Sequence, residues 1–197
     1  MGPKLDIVIT GVGGQGTVLA SRVLAQAAIN KGLQARTSET IGMAQREGSV
    51  QSHVRIGVGD FGPLISQKQA DILLAFEPAE AQRSIELLKN SGFALVNTIP
   101  IRPVTVAIGV AQYSLPEIET YLKSLPLKIV FLDAFELAVQ AGNYKALNAV
   151  MLGALASSGL LPVTPKEILN VLLELVPERA KAVNEKAFEL GSNEFTK

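Results

Sequence analysis

The chain has 197 residues, no cysteine, one histidine and no net formal charge, with 18 basic and 18 acidic side chains. Balanced charge gives no electrostatic reason to expect nucleic acid or an anionic membrane as a partner. A chain without cysteine cannot ligate an iron–sulfur cluster through thiolates or build a cysteine zinc site. The length suits one domain and no linker divides it, so we predict a single domain over residues 1–197.

Apolar residues make up 48% of the chain and charged residues 18%, below the roughly 25% typical of soluble domains. Two explanations stay open: a surface covered by a partner, or a parallel sheet buried on both faces. No stretch approaches the ~20 apolar residues that a membrane span needs, and the amino terminus enters a strand pattern at once. We therefore expect no membrane span, and a cytoplasmic protein.

The first predicted element is a strand at residues 5–10, followed by a glycine turn and a helix that runs to Asn30. A second β-α-β unit follows, with an apolar strand at 70–76, a helix from Pro78 to Lys89 and a strand at 93–98. Such units predict a parallel sheet. The buried strand at 128–133 brings the central sheet to four or five strands.

The last third of the chain is predicted to be helical. Thr164 and Glu167 have the spacing of a capping box around Pro165. Glycines follow the first two helices, and Gly191 is taken as the end of the last one. The predicted helices span residues 134–141, 143–158, 167–176 and 178–190.

Residues 49–65 have a different pattern, because apolar and polar side chains alternate from Val50 to Ile56 and a glycine-rich turn then leads to residues 63–65. Strict alternation predicts a strand with one polar face in an antiparallel hairpin. A parallel sheet with an antiparallel addition is not a plain Rossmann fold.

The sequence TGVGGQG at residues 10–16 satisfies G-x-G-x-x-G through Gly11, Gly13 and Gly16, between a strand and a helix. This spacing is typical of a dinucleotide-binding turn, whose helix N-terminus attracts phosphate. The acidic residue expected about 20 positions later has only a late candidate, Glu39. Three interpretations stay open: an NAD-like cofactor, another phosphate or coenzyme A-like anion, and a purely structural turn.

Four linked motifs make a more specific pattern than the glycines alone. They are GVGGQG at 11–16, ETIGMAQREGSVQSHVRIG at 39–57, ADILLAFEPAEA at 70–81 and GNYKALNAVMLGAL at 142–155. In this order they resemble the gamma-type subunits of 2-oxoacid:ferredoxin oxidoreductases, and within that family the small (beta) subunits of the indolepyruvate type. One departure is Glu47, which stands between Arg46 and Gly48 where the resemblance implies glycine.

The resemblance implies an α/β fold of three layers, with a central parallel sheet, an additional antiparallel sheet and helices. It implies a subunit with no catalytic residue or cofactor of its own. The enzyme would decarboxylate an arylpyruvate or other 2-oxoacid oxidatively to an acyl-CoA. A large partner subunit would carry thiamine diphosphate and [4Fe-4S] clusters, with coenzyme A as acyl acceptor and ferredoxin as electron acceptor. The isolated chain would tend to self-associate.

We hypothesise that the glycine turn and the segment from Glu39 to Ser52 meet at the carboxyl ends of the parallel strands, where open α/β sheets place ligands. Arg46 and Arg55 would add charge-assisted hydrogen bonds to an anion there. The expected anion or coenzyme A phosphate site comprises Gly11, Gly13, Gly14, Gln15, Gly16 and Thr17. The expected loop facing the partner's active site comprises Glu39, Gln45, Arg46, Glu47, Gly48, Ser52, His53, Arg55 and Asn148.

Each of these residues also has a structural interpretation. Arg46 and Glu47 could be a solvated pair, and Gln15 could cap the helix or bond the neighbouring loop. His53, without a second histidine or a visible acidic partner, fits a hydrogen-bonded sheet residue better than a general base. Asn148 has the pattern of a buried amide that anchors a loop, and it enters the site through the resemblance alone.

Overall fold

The computed structural model describes residues 4–41, 48–59, 61–101, 106 and 112–196. Within these ranges six strands form one sheet in the order β2-β3-β1-β4-β5-β6. The strands are β1 (Leu5–Val12), β2 (Gln34–Ile41), β3 (Ser49–Gly57), β4 (Ala70–Ala75), β5 (Leu88–Asn97) and β6 (Lys128–Leu132). The helices are α1 (Thr17–Asn30), α2 (Pro78–Ser84), α3 (Leu115–Ser124), α4 (Ala134–Ala141), α5 (Leu147–Ala156), α6 (Pro165–Leu175) and α7 (Lys181–Phe195).

Four neighbouring strands, β1, β4, β5 and β6, are parallel, whereas β3 is antiparallel to both of its neighbours, β1 and β2. The predicted α/β class, with central parallel strands, antiparallel strands and covering helices, is confirmed. In the described ranges the antiparallel strands extend the parallel ones edge to edge in the same sheet. None of the helices in these ranges has the length and apolarity that crossing a membrane requires.

Both faces of the sheet are buried. Along β1, Ile7 and Ile9 point into a core shared with α1 and the carboxyl-terminal helices, while Val8 points into a second core shared with α2 and α3. The same alternation continues on β4, where Leu74 and Leu73 face opposite cores. Successive side chains on a strand point to opposite faces, so a strand buried on both sides reads as a continuous apolar run. This burial accounts for the apolar composition within the described part.

The helix predicted at 78–89 is shorter than expected. Helix α2 ends at Ser84, a single 3-10 turn follows, and β5 already begins at Leu88, which pairs with Ala70 and is buried. The ladder between β4 and β5 then shifts register between Ala70 and Ile72. Residues 90–92, predicted as the helix end, therefore lie inside an irregular strand.

The antiparallel hairpin is present, but β3 pairs with a strand that comes before it in the chain and not with the predicted one after it. Strand β2 pairs with β3 from Gln34 to Ile41, while residues 63–65 form no strand. Periodicity did not reveal β2, because it is an edge strand with mostly exposed polar side chains in its described positions. Edge strands do not need the apolar pattern of central ones.

Helix α7 continues through Gly191, which was predicted to end it. A Cβ atom built on Gly191 would lie 2.0 Å from the carbonyl oxygen of Val150 on α5, and one built on Gly153 would lie 2.0 Å from that of Phe188 on α7. The two glycines thus let the backbones of α5 and α7 touch. Here glycine marks a helix crossing rather than a helix end.

We predict that Gly153→Ala and Gly191→Ala each destabilise the protein by about 1–3 kcal/mol, the usual cost of overpacking. At an ordinary helix position the same change stabilises by about 1 kcal/mol, so the sign itself is diagnostic. Urea unfolding of each variant measures the change, with the exposed Asn193→Ala on α7 as the control. Stabilisation by Gly191→Ala would contradict the backbone contact.

Candidate functional site

The glycine loop, residues 11–16, joins the carboxyl end of β1 to α1. Gly14 and Gly16 have positive φ angles of 98° and 84°, which side chains other than glycine rarely adopt. The Gly16 carbonyl accepts the first helical hydrogen bond, from Ala20 N at 2.9 Å. Thr17, the first residue of α1, is buried beneath Gly11. The loop thus turns sharply and directs the start of α1 toward the carboxyl edge of the sheet.

The carbonyl oxygen of Phe76, just beyond β4, accepts two side-chain hydrogen bonds. Gln15 Nε2 donates at 2.8 Å and Asn97 Nδ2 at 3.0 Å. Gln15 Oε1 accepts from Val12 N at 2.7 Å, and Asn97 Oδ1 accepts from Ala134 N at 3.1 Å. These contacts, which we call the Phe76 clamp, tie β1, β4, β5 and α4 together. No sequence pattern points to Asn97, since one amide at a strand end carries no periodic signal.

Two glycines of the loop are required by close packing. A Cβ on Gly11 would lie 2.8 Å from Gln15 Oε1 and 3.0 Å from Phe76 Cβ. A Cβ on Gly16 would lie 2.9 Å from Asn148 Nδ2. Asn148, one of the predicted site residues, therefore lies against the glycine loop, and it is only 4% exposed.

The loop also contacts the stem of the segment expected to face a partner. Gly13 N donates to Gly48 O at 2.9 Å, and the neighbouring Ser49 Oγ donates to Glu80 Oε2 at 2.6 Å. Gly48 is therefore hydrogen-bonded to the glycine loop. The predicted site residues Gln45, Arg46 and Glu47 lie outside the described residues.

A cleft of about 720 Å³ opens beside the glycine loop, a volume in the range of small-molecule sites. Phe135 and Tyr144 form one rim, with ring centroids 6.1 Å apart and exposed fractions of 38% and 56%. The lining is Gly13, Gly14, Gln15, Asn97, Ile99, Pro100, Ile101, Phe135, Tyr144, Lys145 and Leu147. It combines residues of the glycine loop, one cation and a mainly apolar wall.

Glu77, next to the clamp, is a buried carboxylate that ties down the wall of the cleft. Its Oε1 accepts from Tyr113 OH at 2.5 Å and from Ile101 N at 3.4 Å, and its Oε2 accepts from Glu80 N at 2.9 Å. Burial raises the pKa of Glu77 above 4.5, although these hydrogen bonds oppose the rise. Burial and the Glu77 contact also raise the pKa of Tyr113. Neither group therefore stands free to face the cleft.

The structure does not bring Arg55 to the glycine loop. Arg55 pairs with Asp6 at the opposite end of β1, five residues or roughly 17 Å from Gly11. Its Nε and Nη2 donate to the Asp6 carboxylate at 3.0 and 3.1 Å, and its Nη1 donates to the carbonyls of Gly62 and Leu64. These bonds occupy the guanidinium, so Arg55 anchors residues 61–64 to the sheet.

His53 also lies inside the sheet. Its Nδ1 accepts from Ile65 N at 3.2 Å, so Nε2 carries the proton and donates to Gln51 Oε1 at 3.1 Å. Burial, with a smaller contribution from the Arg55 guanidinium, holds the pKa of His53 below its ordinary 6.5. The hydrogen bonds match the structural interpretation of this residue.

Glu39 and Ser52 lie on the face of the sheet that packs against α1, opposite to the face that carries His53 and Arg55. They are paired across β2 and β3, and Ser21 Oγ of α1 lies 3.5 Å from Glu39 Oε1. Ser52 Oγ is fully buried and has no hydrogen-bond partner among the residues that the structure describes. In the same ranges no three His, Asp or Glu side chains group to hold a metal ion.

We predict that the free energy of unfolding falls as the pH is lowered below about 6.5, the ordinary pKa of histidine. The folded state binds the His53 proton less readily than the unfolded state. The stability contributed by neutral His53 is therefore complete above pH 6.5, and it is lost as the pH falls toward the lower pKa of His53 in the folded state. The slope is at most about 1.4 kcal/mol per pH unit.

Urea titrations between pH 5.5 and 7.5 on wild type and His53→Asn, which retains an acceptor near Nδ1, isolate the effect of this single histidine. The raised pKa of Glu77 changes the free energy of unfolding in the opposite direction, nearer pH 4.5, and this effect is the same in both proteins. Equal slopes for the two proteins would contradict the assignment.

Comparisons with known proteins agree with this geometry. The family model described as pyruvate ferredoxin/flavodoxin oxidoreductase matches residues 6–194. The chain is 42% identical over 190 residues to the protein named indolepyruvate oxidoreductase subunit IorB of Pyrococcus horikoshii, covering 95% of this chain and 94% of that protein.

Solved structures share the fold. The gamma subunit of a keto/oxoacid ferredoxin oxidoreductase from Geobacter sulfurreducens aligns with a TM-score of 0.72 and 26% identity over 98% of both chains. The 2-oxoglutarate:ferredoxin oxidoreductase of Magnetococcus marinus aligns with a TM-score of 0.73 and 20% identity, and this chain covers 31% of it. The resemblance seen in the sequence motifs is confirmed: the chain belongs to the pyruvate ferredoxin/flavodoxin oxidoreductase family.

Proposed function

We propose that the chain is the small subunit of an indolepyruvate-type 2-oxoacid:ferredoxin oxidoreductase and shapes the active site of a large partner subunit. The observation that carries this proposal is its likeness to the IorB subunit over nearly the full length of both proteins. The glycine loop at the carboxyl edge of the sheet supports it, because Asn148 and Gly48 both contact this loop.

In this proposal the redox chemistry belongs to the partner. This chain has no cysteine with which to hold an iron–sulfur cluster. Bound to the large subunit, thiamine diphosphate supplies carbanion stabilisation and the clusters supply electron transfer to ferredoxin. The small subunit contributes shape and hydrogen-bond donors. That it is a single domain working in the cytoplasm, and that the isolated chain self-associates, stay predictions.

We propose that the glycine loop binds an anionic group, either a phosphate of coenzyme A or a carboxylate of the partner. A helix N-terminus with exposed backbone N–H groups favours negative charge, and Lys145 lines the same cleft. The Magnetococcus marinus structure contains coenzyme A, but at 20% identity its likeness supports the fold alone. The proposal therefore rests on the cleft of this chain.

A nucleotide-binding protein of the Rossmann type is the second candidate, favoured by the G-x-G-x-x-G spacing between β1 and α1. The strand order speaks against it, because β3 separates β2 from β1. Glu39 on β2 therefore lies two strands away from β1 and close to Ser21 of α1. In the dinucleotide fold the acidic residue ends a strand directly beside the glycine turn.

We predict that the purified chain alone does not turn over any 2-oxoacid and does not bind NADH, NADPH or FAD saturably at micromolar concentration. Co-expression with a large subunit bearing thiamine and cluster motifs yields indolepyruvate-dependent reduction of ferredoxin. Steady-state assays and fluorescence titration measure both. Tight nicotinamide binding, or turnover by the isolated chain, would overturn the proposed function.

We predict that Gly14→Ala raises the apparent KM of the assembled enzyme for coenzyme A about tenfold or more, as blocked contacts in a site commonly do. A Cβ on Gly14 meets no atom within 4 Å, so the methyl group projects into open space beside the cleft.

Gly32→Ala is the matched control, since Gly32 also has a positive φ of 82° and open space around its Cβ but follows the far end of α1. Both variants lose a similar ~1–2 kcal/mol of stability through backbone strain. Equal KM values for the two variants would contradict a coenzyme A phosphate at the glycine loop.

A further inference from the structure

We infer that Asn97 is a positioning residue, which fixes the glycine loop through the carbonyl oxygen of Phe76. This inference rests on the proposed function, since the loop it positions is the proposed anion site. Asn97 ends β5, is 1% exposed and lines the cleft. It reaches three separate segments of backbone with one carboxamide, donating to Phe76 O and Ile99 O and accepting from Ala134 N.

The Phe76 carbonyl transmits the position of Asn97 to the loop. A carbonyl oxygen has two lone pairs, and here Asn97 and Gln15 each donate to the same oxygen. Gln15 is bonded at its other end to Val12 N, at the entry to the loop. Moving the Phe76 carbonyl therefore displaces both ends of the Gln15 bridge, and with them the turn at Gly13 and Gly14.

The same carboxamide also fixes the opposite wall of the cleft. Its Oδ1 binds the first N–H of α4, one residue before Phe135, and its Nδ2 lies 3.3 Å from Ile99 O. Asn97 is thus the one described side chain that bonds directly to the Phe76 carbonyl and to both walls, at Ile99 and at Ala134. A side chain that only filled the core would not need this donor and acceptor pattern.

Asn97→Asp tests the donor with almost no change in shape. The carboxylate still accepts from Ala134 N, but it presents an oxygen instead of Nδ2 to the carbonyls of Phe76 and Ile99. Asn184→Asp is the matched control, because Asn184 is also buried and donates Nδ2 to a backbone carbonyl, Ala180 O at 2.8 Å, at the start of α7.

Amide hydrogen exchange of the full-length chain, resolved by NMR, reads the position of the loop without a partner. We expect Asn97→Asp to accelerate exchange at Val12, Gly13 and Gln15, whose N–H groups are bonded within the loop region, by about tenfold or more relative to α7. Asn184→Asp should do so in α7 and not in the loop. Unchanged exchange at these three amides, or equal acceleration in α7, would overturn the inference.

A double-variant cycle that combines Asn97→Asp with Gln15→Ala provides a second measurement. Gln15→Ala removes the other donor to Phe76 O, so this variant alone tests the route through the Phe76 carbonyl if Asn97→Asp does not fold. In the assembled enzyme, kcat/KM for coenzyme A should fall about tenfold or more in each single variant, and the double variant should lose little more than the worse single one. Independent, multiplicative losses would overturn the shared route through Phe76.

The two hypotheses fail in different ways. A wild-type complex without 2-oxoacid-dependent ferredoxin reduction would count against the proposed function and leave the exchange result standing. An active wild-type complex in which Asn97→Asp retains full kcat/KM and slow loop exchange would count against the positioning role alone. The Asn184→Asp complex should match wild type in kcat/KM for coenzyme A.

Discussion

The carbonyl oxygen of Phe76 is a buried acceptor at the place where the central strand β4 stops. Phe76 is fully buried, and its own N–H donates to Thr10 O of β1 at 2.8 Å. Beyond this residue the sheet ladder provides no donor for the carbonyl, and an unpaired buried carbonyl costs about 1–3 kcal/mol. Gln15 and Asn97 satisfy it from opposite sides. The need to pair one backbone group thereby fixes the glycine loop, the end of β5 and the start of α4 around the cleft.

A second set of buried polar groups holds the antiparallel part of the sheet. Asp6 and Arg55 form a two-pronged ion pair, His53 lies between Ile65 N and Gln51, and Glu80 accepts from Ser49 and pairs with Arg83. The alternation along β3 predicted a polar face, and the polar side chains of that face form hydrogen bonds within the protein. Buried polar side chains of this kind restrict the arrangement of neighbouring elements, because a buried donor or acceptor that loses its partner costs free energy.

The elements that were predictable carry their signal locally. Strand β1, helix α1, the capping box at Thr164 and the left-handed Gly142 that ends α4 all follow from neighbouring residues. Strand β2 was missed because an edge strand can be polar, and Gly191 was misassigned because glycine serves helix ends and helix crossings alike. The Phe76 clamp was unpredictable for another reason: its partners are 61 and 21 residues apart in the chain. Long-range hydrogen bonds leave no periodicity.

The glycine loop shows why a phosphate-binding fingerprint is weak evidence for a nucleotide. Gly11 is required by its contacts with Gln15 and Phe76, and Gly16 by its contact with Asn148, while the N–H of Gly13 is bonded to Gly48. Two of the three fingerprint positions, Gly11 and Gly16, are therefore explained by packing within the chain. Gly14, which the fingerprint does not require, has open space around its Cβ position and a positive φ. In the proposed anion site, Gly14 is thus the glycine that leaves open space for a ligand, and Gly11 and Gly16 build the turn that presents it.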